Sequence, residues 1–332
     1  MIVIPLLLLF SLIFVANIVQ ARQNERLRRA FNWLLLLLNL PVFFAGLMLL
    51  LVSPDELAQM SLGEGFSAPR PAGVVLLAAA VWGLLVALPE VRRLLARWIP
   101  IEPGAPVHTL ALMFSGYLAA NGLLPLSQGG LEGLLETMEA TSALAVAAGE
   151  LLLLALAFAG VGLFTRRNLW KALDRLGLER PTARQVGRSL RWLPVLLVLM
   201  IVANYLLAQA NPVQAEVMDE LSQLLLGNMD TVWDWLLLAV AAGIGEEVLF
   251  RGALQPVLGI WLTSLLFAVI HTQYGLSIAT LLIFVVGFIL GVMRQRYNTT
   301  VAILLHAAYN FVLGLAALAA PALEEMALWF PW

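Results

Sequence analysis

Apolar segments about as long as a bilayer is thick recur along this chain, and they constrain its fold more than any other feature. Of its 332 residues, 61% are hydrophobic and only 12% are charged. A hydrocarbon core about 30 Å thick takes about 20 helical residues to cross. Backbone groups in lipid must be hydrogen-bonded internally, and the chain lacks the alternating ten-residue pattern typical of a barrel. The sequence therefore predicts an all-α, polytopic membrane helix bundle.

About ten transmembrane helices are expected from these segments. Their predicted bounds are 2–21, 31–52, 71–89, 107–126, 142–165, 192–209, 232–256, 260–274, 277–294 and 300–319. A basic connector over residues 166–191 divides the chain into an N-terminal transmembrane half, 1–165, and a C-terminal transmembrane half, 192–332. The role of the N-terminal half stays open.

Basic and acidic residues alternate between successive loops. The basic loops carry Arg22, Arg26, Arg28, Arg29, Arg92, Arg93, Arg97, Arg294, Arg296 and eight basic residues from Arg166 to Arg191. The other loops carry Asp55, Glu56, Glu64, Glu132, Glu136, Glu139, Glu216, Asp219, Glu220 and Asp230, with Arg70 as the basic exception. The positive-inside rule then places the basic loops in the cytoplasm and both termini outside a cell (inner) membrane.

The segment GEEVLFRG, Gly245 to Gly252, places two carboxylates and an arginine within an apolar run. A charge at a bilayer centre costs about 2.5 to 3.5 kcal/mol on insertion scales, so these residues indicate a functional site. Glu247 and Arg251 are four residues apart and share a helical face, in the orientation that favours pairing. Glu246 points about 100° away from them, because that is the angle between successive helical residues.

Residues after this segment are expected to complete the site. Pro256 and Gly259 allow a helical hairpin that turns near Leu258 and brings position 246 opposite His271, each about 18 Å from the turn. Phe267 precedes His271 by four residues. His306 and Asn310 are four residues apart on the last helix, and they enter the membrane from the side where the hairpin turns. The sequence thus predicts convergence of Glu246, Glu247, His271, His306 and Asn310, supported by Arg251 and Phe267.

This set of groups permits hydrolysis. A carboxylate beside an imidazole can deprotonate water, and Asn amide and His N–H groups can stabilise an oxyanion. The chain has no cysteine, which excludes thiolate catalysis and disulfides. No serine arrangement competes, because the acidic partners cluster together and no serine lies in a strained turn among them.

The motifs Glu246-Glu247-x-x-x-Arg251, Phe267-x-x-x-His271 and His306-x-x-x-Asn310 resemble the signature of the CAAX protease and bacteriocin-processing (CPBP, Abi) family of intramembrane glutamate endopeptidases. The resemblance covers about residues 230–320. It implies that Glu246 and His271 activate water, that His306 and Asn310 form the oxyanion hole, and that Glu247 and Arg251 position the site. No cofactor is required by this mechanism.

The resemblance also bears on the substrate. Eukaryotic members remove three terminal residues from prenylated proteins on the cytosolic side, and the predicted topology opens this site to the same side. Bacterial relatives are linked to bacteriocin maturation, self-immunity or unknown peptides. We expect a peptide or protein substrate that enters from the membrane or the cytoplasmic side, with membrane lipid as the surroundings and no nucleic-acid partner.

Two other functions remain open. In a zinc metallopeptidase, Glu247, His271 and His306 would bind the metal and Glu246 would act as base. The sequence lacks HExxH, and 35 residues separate the two histidines, which decides neither for nor against a metal. In a non-catalytic immunity or scaffold protein, the same residues would form a buried polar network.

Overall fold

The computed structural model describes residues 3–53, 56–57 and 66–329 of the chain. Within these ranges the protein is helical and has no β-strand apart from one isolated bridge. Nine helical segments of the described chain are long and apolar enough to cross a membrane. They account for the ten predicted helices, because the segment Val232–Val269 contains two of them. The predicted all-α membrane bundle is confirmed.

The described part of the N-terminal half contains five long helices and two short ones. Their bounds are α1 Val3–Arg22, α2 Glu25–Leu51, α3 Pro69–Ala87, α4 Pro89–Leu95, α5 Pro106–Leu126, α6 Gly130–Thr137 and α7 Ala143–Gly160. Helix α2 begins six residues before its predicted start, because the Asn24 side chain caps it by accepting hydrogen bonds from Arg26 and Leu27. Helix α7 ends five residues early, where Gly162 and Phe164 adopt positive φ angles.

The basic connector folds into two short helices, α8 Leu169–Leu176 and α9 Ala183–Leu190. Helix α8 is not confined to the surface of the bundle, because Ala172 and Leu176 on one of its faces are fully buried. The Arg175 side chain donates a hydrogen bond to the backbone oxygen of Gly252, 3.0 Å away. The connector therefore packs against the charged segment of the C-terminal half.

The C-terminal half begins with α10 Leu193–Ala210 and α11 Pro212–Leu226. It continues with α12 Val232–Glu247, a π-helix over Val248–Leu254, and α13 Gln255–Val269. A short 3₁₀ turn, Thr272–Tyr274, leads to α14 Ile278–Arg296 and α15 Thr299–Trp329. Helix α11 was not predicted. The acidic positions Asp55 and Glu64 lie outside the described residues.

The predicted hairpin is present, and Gly259 forms its turn. This residue adopts φ 78° and ψ 165° inside α13, a conformation that is essentially restricted to glycine. The chain reverses there, so that Glu246, 13 residues before the turn, lies beside His271, 12 residues after it. The returning arm ends at Val269 rather than at the predicted residue 274. His271 therefore lies just beyond the helix end, in a non-helical segment.

The main hydrophobic core joins the two halves of the chain. Its buried members include Leu35 and Leu156 from the N-terminal half, and Leu249 and Leu266 from the hairpin. A second cluster lies among α10, α14 and α15. The hairpin is thus enclosed by helices of both halves, which fixes the position of its polar residues.

Candidate active site

Glu247 and Arg251 form a fully buried ion pair at the junction of α12 and the π-helix. The Arg251 Nε donates to a Glu247 carboxylate oxygen at 3.2 Å, and both side chains have no exposed surface. The other Glu247 oxygen lies 3.0 Å from His306 Nδ1 on α15. Because a carboxylate accepts hydrogen bonds, this geometry assigns the proton to His306 Nδ1. Glu247 therefore connects the charged segment to the last helix.

Glu246 has different surroundings from its neighbour. Its carboxylate is 14% exposed and lies between two imidazole rings. One oxygen is 3.9 Å from His271 Nε2, and the other is 3.9 Å from His306 Nε2. These distances are too long for direct hydrogen bonds and suit a bridging water. The expected division between the two carboxylates is thus present in the structure.

His271 and Asn310 complete the group. His271 Nδ1 is 2.6 Å from the backbone oxygen of Phe267, so Nδ1 carries a proton and Nε2 of the neutral ring faces Glu246. This bond also satisfies a carbonyl near the end of α13. Asn310 Nδ2 is 3.2 Å from His306 Nε2. The structure therefore brings all five predicted site residues together.

Phe267 separates the buried arginine from the histidines. Its ring centroid lies 4.9 Å from the Arg251 guanidinium carbon, which is a cation–π contact, and 4.7 Å from the His271 ring centroid. Gly287 of α14 lies directly against Phe267 and Arg251. A Cβ at position 287 would be 3.1 Å from Phe267 and 3.2 Å from Arg251, so α14 encloses both side chains. Phe267 therefore packs between the two groups, while Arg251 contacts both its ring and the Glu247 carboxylate.

The segment that carries Arg251 is a π-helix and not the predicted regular α-helix. Short π-helical segments occur frequently at functional sites, because one wider turn redirects the side chains that follow. Glu247 and Arg251 still pair across it. This distortion could not be predicted, because Val248 to Leu254 have ordinary helical composition.

The site lies in a cavity of about 480 Å³, within the range typical of ligand sites. Glu246, His271, His306 and Asn310 line it together with residues from α7, α10 and α11. The remaining polar or charged lining residues are Thr141, Glu150, Asn204, Asp219, Ser222, Gln273, Tyr274 and Tyr309. Several of these stand at helix ends next to the acidic loops, and none comes from the basic connector.

The direction of this cavity corrects one expectation. The site was expected to open towards the basic loops, but its cavity extends towards the acidic loops at Thr141, Asp219 and Gln273. Helix α8 closes the basic side, because Leu176 packs against the π-helix at Gly252, where a Cβ would lie 2.9 Å from the Leu176 oxygen. The sequence could not reveal this closure, because it does not show that the basic connector packs against the π-helix.

Glu150 is a cavity residue to which the sequence assigned no role. It stands on α7, in the N-terminal half, and packs against Gly245, where a Cβ would lie 2.7 Å from the Glu150 backbone oxygen. One of its carboxylate oxygens is buried and has no hydrogen-bond partner among the described residues. A lone charge within an apolar span was the available signal, but the partner helix was unknown.

The described residues contain no group of three His, Cys, Asp or Glu side chains placed to hold a metal ion. Both carboxylate oxygens of Glu247 are bound to Arg251 and His306, and His271 Nδ1 is bound to backbone. Both oxygens of Glu247 therefore have partners in this arrangement, whereas Nε2 of His271 has no hydrogen-bond partner among the described residues.

Comparison with known families gives one match, and it falls on this site. Residues 228–312 match the model of the family described as type II CAAX prenyl endopeptidase Rce1-like. The segment is similar to that family and is named the Rce1-like domain for this similarity. It contains all three motifs, from Glu246 to Asn310, and confirms the CAAX-protease resemblance. No curated protein and no solved structure matches the chain.

The Rce1-like domain supports a hydrolase of the CAAX-protease type in a multi-pass membrane protein. The match begins near the start of α12 and ends on α15. Helices α1 to α11 lie outside it. The cavity nevertheless takes lining residues from α7, α10 and α11, so the Rce1-like domain does not enclose its site alone.

Proposed function

We propose that this protein is an intramembrane endopeptidase that uses Glu246 to activate water for hydrolysis of a peptide bond. The observation that carries the proposal is the position of the Glu246 carboxylate, 3.9 Å from Nε2 of both His271 and His306 within one cavity. Glutamate and histidine at this separation can share a water molecule, and the Rce1-like match supports peptide-bond chemistry.

In the first step, Glu246 takes a proton from water while the water oxygen bonds to the peptide carbonyl carbon. Neutral His271 has a free lone pair on Nε2 that accepts the second water hydrogen and orients the molecule. The carbon–nitrogen bond then breaks, and the proton held by Glu246 passes to the leaving amine. The products are a new carboxylate terminus and a new amino terminus.

His306 and Asn310 are placed to stabilise the developing oxyanion. In its neutral form His306 donates through Nδ1 to Glu247 and accepts at Nε2, so it has no second N–H to offer. Its Nε2 accepts one hydrogen of the Asn310 amide, 3.2 Å away, which holds that amide in place. The second Asn310 amide hydrogen is then the donor available to the oxyanion on the cavity side of the site.

The substrate enters, in this proposal, from the face that carries the acidic loops. The cavity reaches Thr141, Asp219 and Gln273 on that side, whereas α8 and the π-helix close the other. A peptide in an extended conformation, with its backbone exposed beside Glu246, is the substrate class that fits. Its sequence and any lipid modification stay outside the proposal.

The test uses purified full-length protein in lipid and a digest of membrane proteins as a peptide library. New peptide termini are identified by mass spectrometry for the wild type, Glu246→Gln and the control Glu220→Gln, whose exposed carboxylate lies outside the cavity. General acid–base catalysis contributes about 10² to 10⁴ in rate, so Glu246→Gln should lose at least about 100-fold. The control should keep wild-type activity.

Three results would contradict the proposal. Equal cleavage by Glu246→Gln would remove Glu246 from the mechanism. Loss of wild-type activity in a chelator, with recovery on adding zinc, would favour the metallopeptidase. A non-catalytic role would be favoured if the wild type produced no new peptide termini and Glu246→Gln kept the biological activity in cells.

A further inference from the structure

A second cavity, of about 610 Å³, lies on the opposite side of the π-helix from the catalytic site. Leu249, Ala253 and Leu254 of the π-helix form part of its wall. Its remaining walls come from α1, α5, α7, α8 and the end of α14. This cavity is therefore at the basic face of the molecule, outside the group of residues assigned above to hydrolysis.

Four arginines line the polar end of this cavity: Arg166, Arg167, Arg175 and Arg294. Two acidic residues, Glu102 and Asp174, also line it, but no carboxylate of the described residues lies within 4.0 Å of any of the four guanidinium groups. The charges of the four arginines thus exceed those of the two acids, and none is engaged in an ion pair.

The guanidinium groups are held in fixed positions by the fold. Arg166 Nε donates at 2.7 Å to Asn17, a fully buried residue of α1 that is itself anchored to two backbone oxygens. Arg175 donates to Gly252 at 3.0 Å. These bonds use one nitrogen of each group and leave the others available. The site is therefore preorganised.

Arg294 provides the most direct indication of a missing ligand. It makes no hydrogen bond to any described residue, and its Nε is buried. The backbone at Gly177 packs closely against Arg294. A Cβ at position 177 would lie 2.8 Å from the Arg294 guanidinium carbon. A buried guanidinium nitrogen without an acceptor is unfavourable, and an anion in the cavity would supply the acceptor.

Electrostatics within the cluster point the same way. Burial, followed by the nearby positive charges of Arg167 and Arg175, lowers the pKa of Arg166 to about 10. Burial, then Arg167 and Arg294, also lowers the pKa of Arg175. Arg166 thus keeps its charge at neutral pH, and the positive charges of the cluster repel one another. A bound anion would relieve this repulsion.

The inner end of the cavity is apolar. Leu9, Ile13, Phe114, Leu156 and Leu249 line it. Leu9 lies 11 residues before Gln20 on α1, so the apolar part extends about 16 Å from the polar end towards the bilayer interior. A cavity with cations at the membrane surface and alkyl-lined walls below matches a molecule with an anionic head and a hydrocarbon chain.

We propose that this cavity is a binding site for an anionic phospholipid, with its phosphate at Arg166 and Arg294 and an acyl chain between α1, α5 and α7. Anionic lipids of the cytoplasmic leaflet are attracted to basic clusters of this kind. The bound lipid would pack against the back of the π-helix that carries Arg251. This site is independent of the proposed peptide hydrolysis.

The test is native mass spectrometry of the full-length protein in an uncharged detergent, titrated with phosphatidylglycerol, phosphatidylcholine or inorganic phosphate. Arg166→Gln/Arg294→Gln removes two charges from the cavity. Arg184→Gln/Arg188→Gln removes two exposed charges of α9 from the same face and is the matched control. Ala111→Phe keeps all four arginines and fills the apolar part.

The wild type should bind phosphatidylglycerol about tenfold or more tightly than phosphatidylcholine, because the cationic choline is repelled by the four arginines whereas phosphatidylglycerol has a net negative charge. Arg166→Gln/Arg294→Gln and Ala111→Phe should each lose about tenfold in affinity for phosphatidylglycerol, while the control stays within about twofold. Each variant is first checked for a wild-type elution volume and melting temperature. If the double variant fails this check, Ala111→Phe decides the outcome.

The proposal would be overturned if the wild type bound phosphatidylglycerol and phosphatidylcholine equally. It would also be overturned if the Arg184→Gln/Arg188→Gln control lost as much affinity for phosphatidylglycerol as Arg166→Gln/Arg294→Gln. Competition by inorganic phosphate together with an unchanged Ala111→Phe would show a site for a free anion. A peptide mass retained on the purified protein at this cavity would show that it holds substrate and not lipid.

Discussion

Glu246 and Glu247 are adjacent in sequence, but their environments give them different tasks. Glu247 is fully buried, and each of its oxygens has a partner, Arg251 or His306. Glu246 is partly exposed to a cavity and lies between two imidazole rings without direct hydrogen bonds. The 100° rotation between neighbouring helical residues produces this difference, so one carboxylate organises the site and the other is available for chemistry.

Removal of Arg251 should strongly destabilise the protein. Arg251→Ala would leave Glu247 without its cationic partner in a fully buried position, which costs about 3 to 5 kcal/mol for a buried pair. The control is Arg93→Ala, because Arg93 pairs with Glu90 at 2.6 Å on an exposed surface. Arg93→Ala should lose less than about 1 kcal/mol of unfolding free energy. Denaturant unfolding in detergent measures both, and equal losses would contradict the assigned role of the pair.

At the scale of elements, the hairpin could be predicted. Pro256 and Gly259 indicated its turn, and positions 246 and 271 lie at nearly equal distances along the chain from that turn. The α11 helix could not be predicted, because its acidic residues made Pro212–Leu226 look like an exposed loop. Its buried side, Met218 and Leu221, lies beside the catalytic cavity. The helix exists through tertiary packing, which one sequence does not display.

The five converging site residues were predictable for a related reason. Their four-residue spacings and the hairpin are local, so helix geometry accounts for the pairs within each element. The contact of His306 with Glu247, 59 residues away, depends on the packing of α15. The direction of the cavity was not predictable, because it depends on α8 packing beneath the π-helix. Glu150 is a charge within an apolar span, but only the packing of α7 against Gly245 places it in the site.

The turn at Gly259 should be sensitive to a side chain. Gly259→Ala finds space, since its nearest neighbour is a Pro100 atom at 3.5 Å, so the penalty comes from the backbone conformation. We expect a loss of about 1 to 3 kcal/mol in unfolding free energy. The rate of peptide hydrolysis should also fall in Gly259→Ala, because the turn places Glu246 beside His271.

Gly149→Ala is the control for that substitution. Gly149 is an exposed helical residue with open space around its Cβ, and alanine there should stabilise α7 by about 0.5 to 1 kcal/mol. A Gly259→Ala variant as stable and active as the Gly149→Ala control would show that the hairpin does not depend on the positive φ of this residue.

For the whole molecule, the two halves of the chain share one core, and the π-helix lies between two cavities of opposite character. The catalytic cavity extends to the acidic loops, and the arginine-lined cavity lies at the basic face. The Rce1-like domain covers residues 228–312 only. The N-terminal half therefore contributes walls to both cavities, which gives it a structural reason to accompany that domain.

The orientation of the molecule can be tested directly because the chain has no cysteine. Single cysteines at two exposed positions, Glu139→Cys in an acidic loop and Arg184→Cys in the basic connector, report the two faces. In intact cells, a membrane-impermeant maleimide should label position 139 and spare 184 until the membrane is permeabilised. Labelling of 184 alone in intact cells would reverse the predicted orientation.

The central claim is that Glu246 activates water to attack the peptide bond. Its most direct test is single-turnover cleavage in H₂¹⁸O by protein prepared in ordinary water, on a peptide found in the library experiment. The account predicts one ¹⁸O atom in each new carboxylate terminus for the wild type, and no cleavage above background for Glu246→Gln. A product that carries only ¹⁶O after the first turnover, or cleavage by Glu246→Gln at the wild-type rate, would contradict it.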